Sequence, residues 1–236
     1  MRVEVMAITE TRKRLNRRFT WVVREGITKC LREHGFNQRG RHYWRDCDPT
    51  LAFAIYVGKG PQWSEDKCTF HVYCGMVTNV VPVIFENLAA NWVPDAMVGQ
   101  LQVRPDELTP AVRSHFVISS SDTESDLAEM ARSFSRMLED VVLPWFSKFK
   151  TAKDVGDYLT SEGERPGKLW IGYREIKHHP ESLRQAAIAY FAAGEHEQAV
   201  ALLDLAAKTN DAPGLHHTLE LRKRLTRFIA SRKEAH

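Results

Sequence analysis

Four cysteines in 236 residues rule out a disulfide-stapled scaffold. Cys30, Cys47, Cys68 and Cys74 are too few and too scattered for one, and they are expected as buried, reduced thiols. Long apolar runs are missing as well. The most apolar window, Val77 to Val93, is interrupted by Asn79, Pro82, Glu86, Asn87 and Asn91, whereas a membrane-spanning helix needs about 20 nearly uninterrupted apolar residues. No membrane partner is expected. A secretory leader places its charges before an apolar core of about 7–15 residues. Here Met1 to Ile8 precede the basic stretch instead, so export is not expected and a cytoplasmic location is. Met6 is the expected true start, since Met1 to Val5 carry no evident role.

Catalytic signatures are scarce too. HExxH, paired CxxC, G-x-S-x-G, a Walker loop and a dinucleotide fingerprint do not occur in the sequence. Gly58-Lys59-Gly60 lacks the spacing and the following Lys-Ser/Thr of a phosphate loop. Cys68-x-x-His71-x-x-Cys74 is the tightest group of metal-ligand types, but on a strand Cys68 and Cys74 share one face and His71 points to the other. No catalytic residue, metal or cofactor is therefore assigned.

What the sequence holds is ordinary globular composition, 43% hydrophobic and 27% charged, with a net charge of only +3. That charge is segregated. Residues 1–45 carry 12 Lys and Arg against 4 Asp and Glu, residues 46–164 carry 9 against 18, and residues 165–236 carry 12 against 8. A basic first segment suits an acidic partner, nucleic acid, or the acidic middle of its own fold.

Helical periodicity is clear over Thr11 to Glu33, where Leu15, Phe19, Val22, Val23, Ile27, Cys30 and Leu31 recur at steps of three and four. Thr11 is placed to cap this helix and His34-Gly35 to stop it. Three strand-like runs follow, Phe36 to Arg45, Leu51 to Val57 and Phe70 to Met76, with Gly58-Lys59-Gly60-Pro61 opening a polar loop that runs to Lys67. Their short connections favour an antiparallel meander. A short helix over Val83 to Asn91 and strands over Val98 to Arg104 and His115 to Ser119 are expected next. Thr123 and Asp126 form a capping-box pattern before a helix striped by Leu127, Ala131, Phe134, Leu138 and Val141, which Pro144 should end or kink. Thr151 opens a short helix that stops near Gly163. Glu162 to Gly167 reads as a boundary, dividing an α+β domain over 1–163 from a helical extension over 164–236. Three helices are expected there, at Pro180 to Ala193, His196 to Lys208 and Gly214 to Arg232, docked on the main domain.

Two resemblances rest on these residues. Gly35-Phe36-Asn37-Gln38-Arg39-Gly40-Arg41-His42-Tyr43-Trp44-Arg45, then Phe70-His71-Val72-Tyr73-Cys74-Gly75-Met76, then Leu143-Pro144-Trp145-Phe146 with Tyr158-Leu159 resemble the bacterial family called domain of unknown function 4304, over roughly residues 13–160. The resemblance implies a fold, a small antiparallel β-sheet covered by helices, and brings no catalytic residues. In the extension, Ala187, Tyr190, Gly194, Ala199, Leu203 and Ala206 resemble one tetratricopeptide unit, with Asp211 where its closing proline would stand. A lone unit is expected as a docked hairpin rather than a peptide-binding solenoid.

The expected fold class is therefore α+β, with an all-α C-terminal extension. The candidate ligand- or partner-binding residues are Arg41, Tyr43, Arg45, Tyr56, His71 and Tyr73. They line the uncovered face of the sheet provided that register turns them the same way, and such a face stacks planar groups and binds anions or a protein. Cross-strand packing on a solvated face is the plainer role for the same aromatics. The expected function is a non-enzymatic cytoplasmic interaction protein, of immunity or inhibitor type, whose partner is another protein. The alternatives are a nucleic-acid-binding module using the basic N-terminal helix and aromatic strands, and an enzyme without a recognisable motif.

Overall fold

A computed structural model describes residues 2–64, 66–84, 92–113, 115–161, 180–209 and 212–234. The expected first helix is longer than its apolar stripe. It runs as α1 (Arg2–Val22), a π-helical turn (Val23–Thr28) and α2 (Lys29–Glu33). The stripe from Leu15 to Leu31 is buried as its spacing predicts. Gly35, at φ +77°, lets the chain turn away.

The sheet is antiparallel throughout. Strands β1 (Asn37–Arg39), β2 (His42–Asp48), β3 (Leu51–Trp63) and β4 (Lys67–Thr78) form a meander. Two short strands, β5 (Leu101–Val103) and β6 (His115–Ser119), pair with different halves of the far edge of β4. The run Phe36 to Arg45 is thus two strands, broken by a turn at Gly40 with φ +62°. The Gly58 to Pro61 stretch, expected as a loop, is instead the continuation of β3.

Register divides the sheet into two faces. Tyr43 opposes Ile55 and Arg45 opposes Phe53, while Phe53 and Ile55 oppose Met76 and Cys74. These residues, with Leu51, Val57, Phe70 and Val72, face the helices. The core there is aromatic. Phe19 meets Phe70 edge-on at 5.1 Å, Phe134 stacks on Phe70 at 5.4 Å, and Phe146 stacks on Phe53 at 4.7 Å.

After β4 come α3 (Val81–Ile84), a 3-10 turn (Ala96–Val98) and α4 (Pro105–Leu108), the last lying between β5 and β6. The segment around Ala96 lies directly on the second face of the sheet. A Cβ on Gly75 would stand 2.8 Å from the Ala96 backbone, and one on Gly99 2.7 Å from the Met76 carbonyl oxygen, so only glycine admits this approach. Gln100, 1% exposed, clips the segment down: its N–H donates to the Met76 carbonyl at 2.8 Å, and its Oε1 accepts from the Thr78 N–H at 2.7 Å. Removing that acceptor strands a buried donor. Gln100→Ala is expected to lower stability by about 2 kcal/mol, read as a shifted denaturant midpoint at unchanged slope. An unmoved midpoint would show that the clip contributes nothing.

The capping box at Thr123 forms as expected and opens α5 (Glu124–Met137). Pro144 does not end this rod. A second π-helical turn (Leu138–Val142) leads into α6 (Leu143–Phe146), with Pro144 in its first turn, where a missing N–H costs little. The two π turns lie in helices that cross tightly. A Cβ on Gly26 would stand 2.5 Å from the Ala131 carbonyl oxygen, and the Ser135 hydroxyl donates to the Gly26 carbonyl at 3.0 Å.

α7 (Ala152–Thr160), capped by Thr151, is followed by α8 (Pro180–Ala192), α9 (His196–Thr209) and α10 (Ala212–Glu234). The extension is docked, as expected. The Tyr190 ring covers Gly156, where a Cβ would come within 3.0 Å of it, and the Tyr190 hydroxyl donates to Asp157 at 2.7 Å. Its buried residues continue the main core without a break. The expected boundary at Glu162 to Gly167 and the Phe85-to-Asn91 part of the expected short helix, beyond α3, lie outside the described residues. No helix among the described residues is long and apolar enough to cross a membrane.

Candidate functional site

Placing the six candidate residues on this frame separates them. Tyr43 and Arg45 face the helices and are used by the fold. Tyr43 is 1% exposed, its hydroxyl hydrogen-bonded to Thr28 at 2.8 Å. Arg45 lies over the rings of Phe36 and Phe53, at 5.0 and 5.5 Å, and donates to the His34 carbonyl at 2.9 Å. The expectation that they share a face with the other four is corrected by register: Tyr43 opposes Ile55, not Tyr56.

Tyr56, His71 and Tyr73 do share the second face, and Arg41 joins them from the β1–β2 turn. Tyr56 and Tyr73 are direct cross-strand partners with ring centroids 6.2 Å apart and planes 21° from parallel. Their rings lean across Gly58, where a Cβ would come within 3.1 Å of Tyr56 and 3.2 Å of Tyr73. A bare glycine beneath two rings is a recognised way of covering a strand, and it fixes both rings in place. The Arg41 guanidinium sits 5.7 Å from the Tyr56 centroid. Its Nη1 is shut away from solvent without a hydrogen-bond partner among the described residues.

Three further residues belong to this face and were missed in the sequence. His42, opposite Tyr56, stacks on it at 4.7 Å, with its Nδ1 3.4 Å from Asp95 Oδ2. His115 opposes His71, their rings 4.7 Å apart and edge-on. Arg104, just beyond β5, lies close enough to act electrostatically on both His71 and Tyr73. It also pairs with Asp106 and Glu107 at 3.5 Å each. Strand alternation points to His42 once Tyr56 is fixed on a face. Nothing in the sequence points to Arg104, which stands outside any strand.

Electrostatically the face is polarised. At one end Ala52 and Val77 floor an open cleft of about 490 Å³, walled by Trp92 and Pro94 and rimmed by Asp46 and Asp48. At the other end stand Arg104, His71 and His115. Burial, then the neighbouring His115 and Arg104, pushes the His71 imidazole below its ordinary range. Burial raises the Tyr73 phenol. Both groups are therefore neutral at pH 7, and the arginines supply the charge. Cys68 and Cys74 lie on the opposite face from His71, as strand alternation requires. Burial pushes the thiols of Cys30 and Cys68 up to about 11 and that of Cys74 further, so none is a thiolate nucleophile at neutral pH.

A family model described as a domain of unknown function (DUF4304) matches residues 27–148, just over half of the chain. That stretch holds every residue of the polarised face and leaves out all of α1 and all of the helical extension. No curated protein and no solved structure matches the chain.

Proposed function

Because the chain belongs to the DUF4304 family, which brings no assigned reaction, we propose from geometry alone that it is a non-enzymatic cytoplasmic interaction protein, of immunity or inhibitor type, holding another protein on the open face of its sheet. One observation carries this reading. Arg41 is a half-buried guanidinium lying on an aromatic ring, with Nη1 buried and unpartnered among the described residues. Leaving such a donor unmet costs about 1–3 kcal/mol, and the half-buried side chain recovers that cost by turning out to an acceptor on a docked partner. Arginine and tyrosine, held rigidly by their surroundings, are the residue types that dominate protein interfaces. The hairpin of α8 and α9, whose Ala187, Tyr190, Ala199 and Leu203 are buried, resembles a single tetratricopeptide unit and serves here as a support beneath α7.

The nucleic-acid alternative needs the basic N-terminal helix and the aromatic strands to act together. α1 packs on the face of Phe70, opposite that of Tyr56 and Tyr73, so one strand of nucleic acid does not reach both directly.

The test is low-salt affinity capture of the full chain from its own cells. Wild type is compared with Arg41→Ser/Tyr73→Ala and with Arg17→Ser/Arg24→Ser, two exposed positions on α1 and the π turn that follows it, and melting is followed on each. A stoichiometric protein, lost with the first pair and kept with the second, is expected. Loss only with the second pair, or nucleic acid in place of protein, would overturn the reading.

A further inference from the structure

Beyond Arg41, the opposite end of the same face has a chemistry of its own. We propose that His71, His115 and Arg104 form an oxyanion site, which takes a carboxylate or phosphate group carried by the bound partner. The inference rests on the partner-binding reading of this face and adds the group that is recognised.

Two imidazoles 4.7 Å apart on adjacent strands would ordinarily invite a metal ion. The surroundings argue for the opposite charge. Arg104 stands near both His71 and Tyr73. The nearby acids, Asp106 and Glu107, each already lie 3.5 Å from the Arg104 guanidinium, and among the described residues no three His, Cys, Asp or Glu side chains converge on one point. A cation here would meet a fixed arginine, whereas an anion would compete with those two carboxylates for the arginine and add two imidazoles that it can induce to protonate.

Donor geometry agrees. His71 Nδ1 is buried with no hydrogen-bond partner among the described residues, so Nε2 is the ring nitrogen left to meet a ligand. Nε2 lies above Gly60, 3.2 Å from where a Cβ would stand, and β3 sends no side chain up beside it. Around the His71 ring stand His115 from β6, Arg104 from beyond β5 with its partners Asp106 and Glu107 from α4, Tyr73 and Thr69 from its own strand, the Thr69 hydroxyl sharing the space over Gly60, and the bare Gly58 and Gly60 from β3. An anion among them favours the imidazolium form of His71. Binding is therefore accompanied by proton uptake and strengthens as pH falls through the His71 titration.

The test follows the imidazole resonances of His71 and His115 against pH, in sulfate, in acetate and in chloride at equal ionic strength. Sulfate stands in for a phosphate group because it keeps its charge across the range. Sulfate or acetate is expected to raise the His71 titration by about one unit relative to chloride. The rise should vanish in Arg104→Gln, or in His115→Gln should the first variant not fold. Movement by sulfate alone identifies a phosphate-type ligand, and movement by acetate as well identifies a carboxylate. A His71 curve that is the same in all three salts would overturn the site. A partner captured through Arg41 alongside a silent His71 would still leave the partner-binding reading standing.

Discussion

Phe70→Ala is expected to destabilise the protein by about 4 kcal/mol, lowering the melting temperature by roughly 10 °C for a chain of this size. Phe70 is fully buried on β4. It is the one ring that touches Phe19 of α1, Phe134 of α5 and Phe116 of β6, at 5.1, 5.4 and 5.6 Å. Truncation removes its transfer free energy and leaves a cavity between α1 and the Phe116–Phe134 pair, whose own rings meet at 4.0 Å. Because those elements are held by a sheet on one side and a helix crossing on the other, they cannot collapse into the space. Calorimetry reads the loss. Val117→Ala on β6, 42% exposed, serves as the control and should leave melting nearly unchanged. A Phe70→Ala protein that melts within a degree or two of wild type would mean that the three aromatic contacts are not coupled through this ring.

Gly26→Ala is expected to cost about 3 kcal/mol by overpacking, although alanine is ordinarily the better helix former. The added methyl would meet the carbonyl oxygen and Cα of Ala131 at 2.5 and 2.8 Å. Those are backbone atoms, and α5 cannot yield without moving its whole face. Two comparisons isolate the cause. Ala131→Gly should not rescue the variant, because the clash is not with the alanine side chain. Ser135→Ala should lose only the hydrogen bond to the Gly26 carbonyl, about 1 kcal/mol. Gly26→Ala that melts higher than wild type would show propensity winning and the helices crossing further apart.

Much of the fold is legible in the chain because its periodicities are local. The alternation from Leu51 to Val57, the stripe from Leu15 to Leu31, the capping box at Thr123 and the strand at His115 to Ser119 all form. What fails to be legible depends on other parts of the molecule. Gly58, Gly60 and Pro61 carry loop chemistry, yet β3 runs through them because the rings of Tyr56 and Tyr73 cover the glycine and β4 continues alongside. The first π turn carries Gly26, where two helices meet through segments a hundred residues apart. The candidate face depends on parity across the β2–β3 turn, where the register shifts between Asp46 and Asp48. A one-residue shift exchanges the two faces. Tyr43 and Arg45 therefore fall on the core side, His42 falls on the open side, and no count along β2 alone distinguishes the outcomes.

The arrangement of β4 has a further consequence, in the rates at which backbone amides exchange with solvent. Its near edge is paired with β3 from Cys68 to Thr78, and its far edge with β6 as far as His71 and with β5 from Cys74. Amides locked on both sides exchange only when the whole molecule opens, so β4 should hold its deuterons longest. The three exposed residues of β1, with one neighbour, should release theirs early. Along the far edge of β4 the pairing with β6 ends at His71 and the pairing with β5 begins at Cys74. The slowest strand of the protein thus carries a seam of its own, and the aromatic face with its histidine pair sits across that seam.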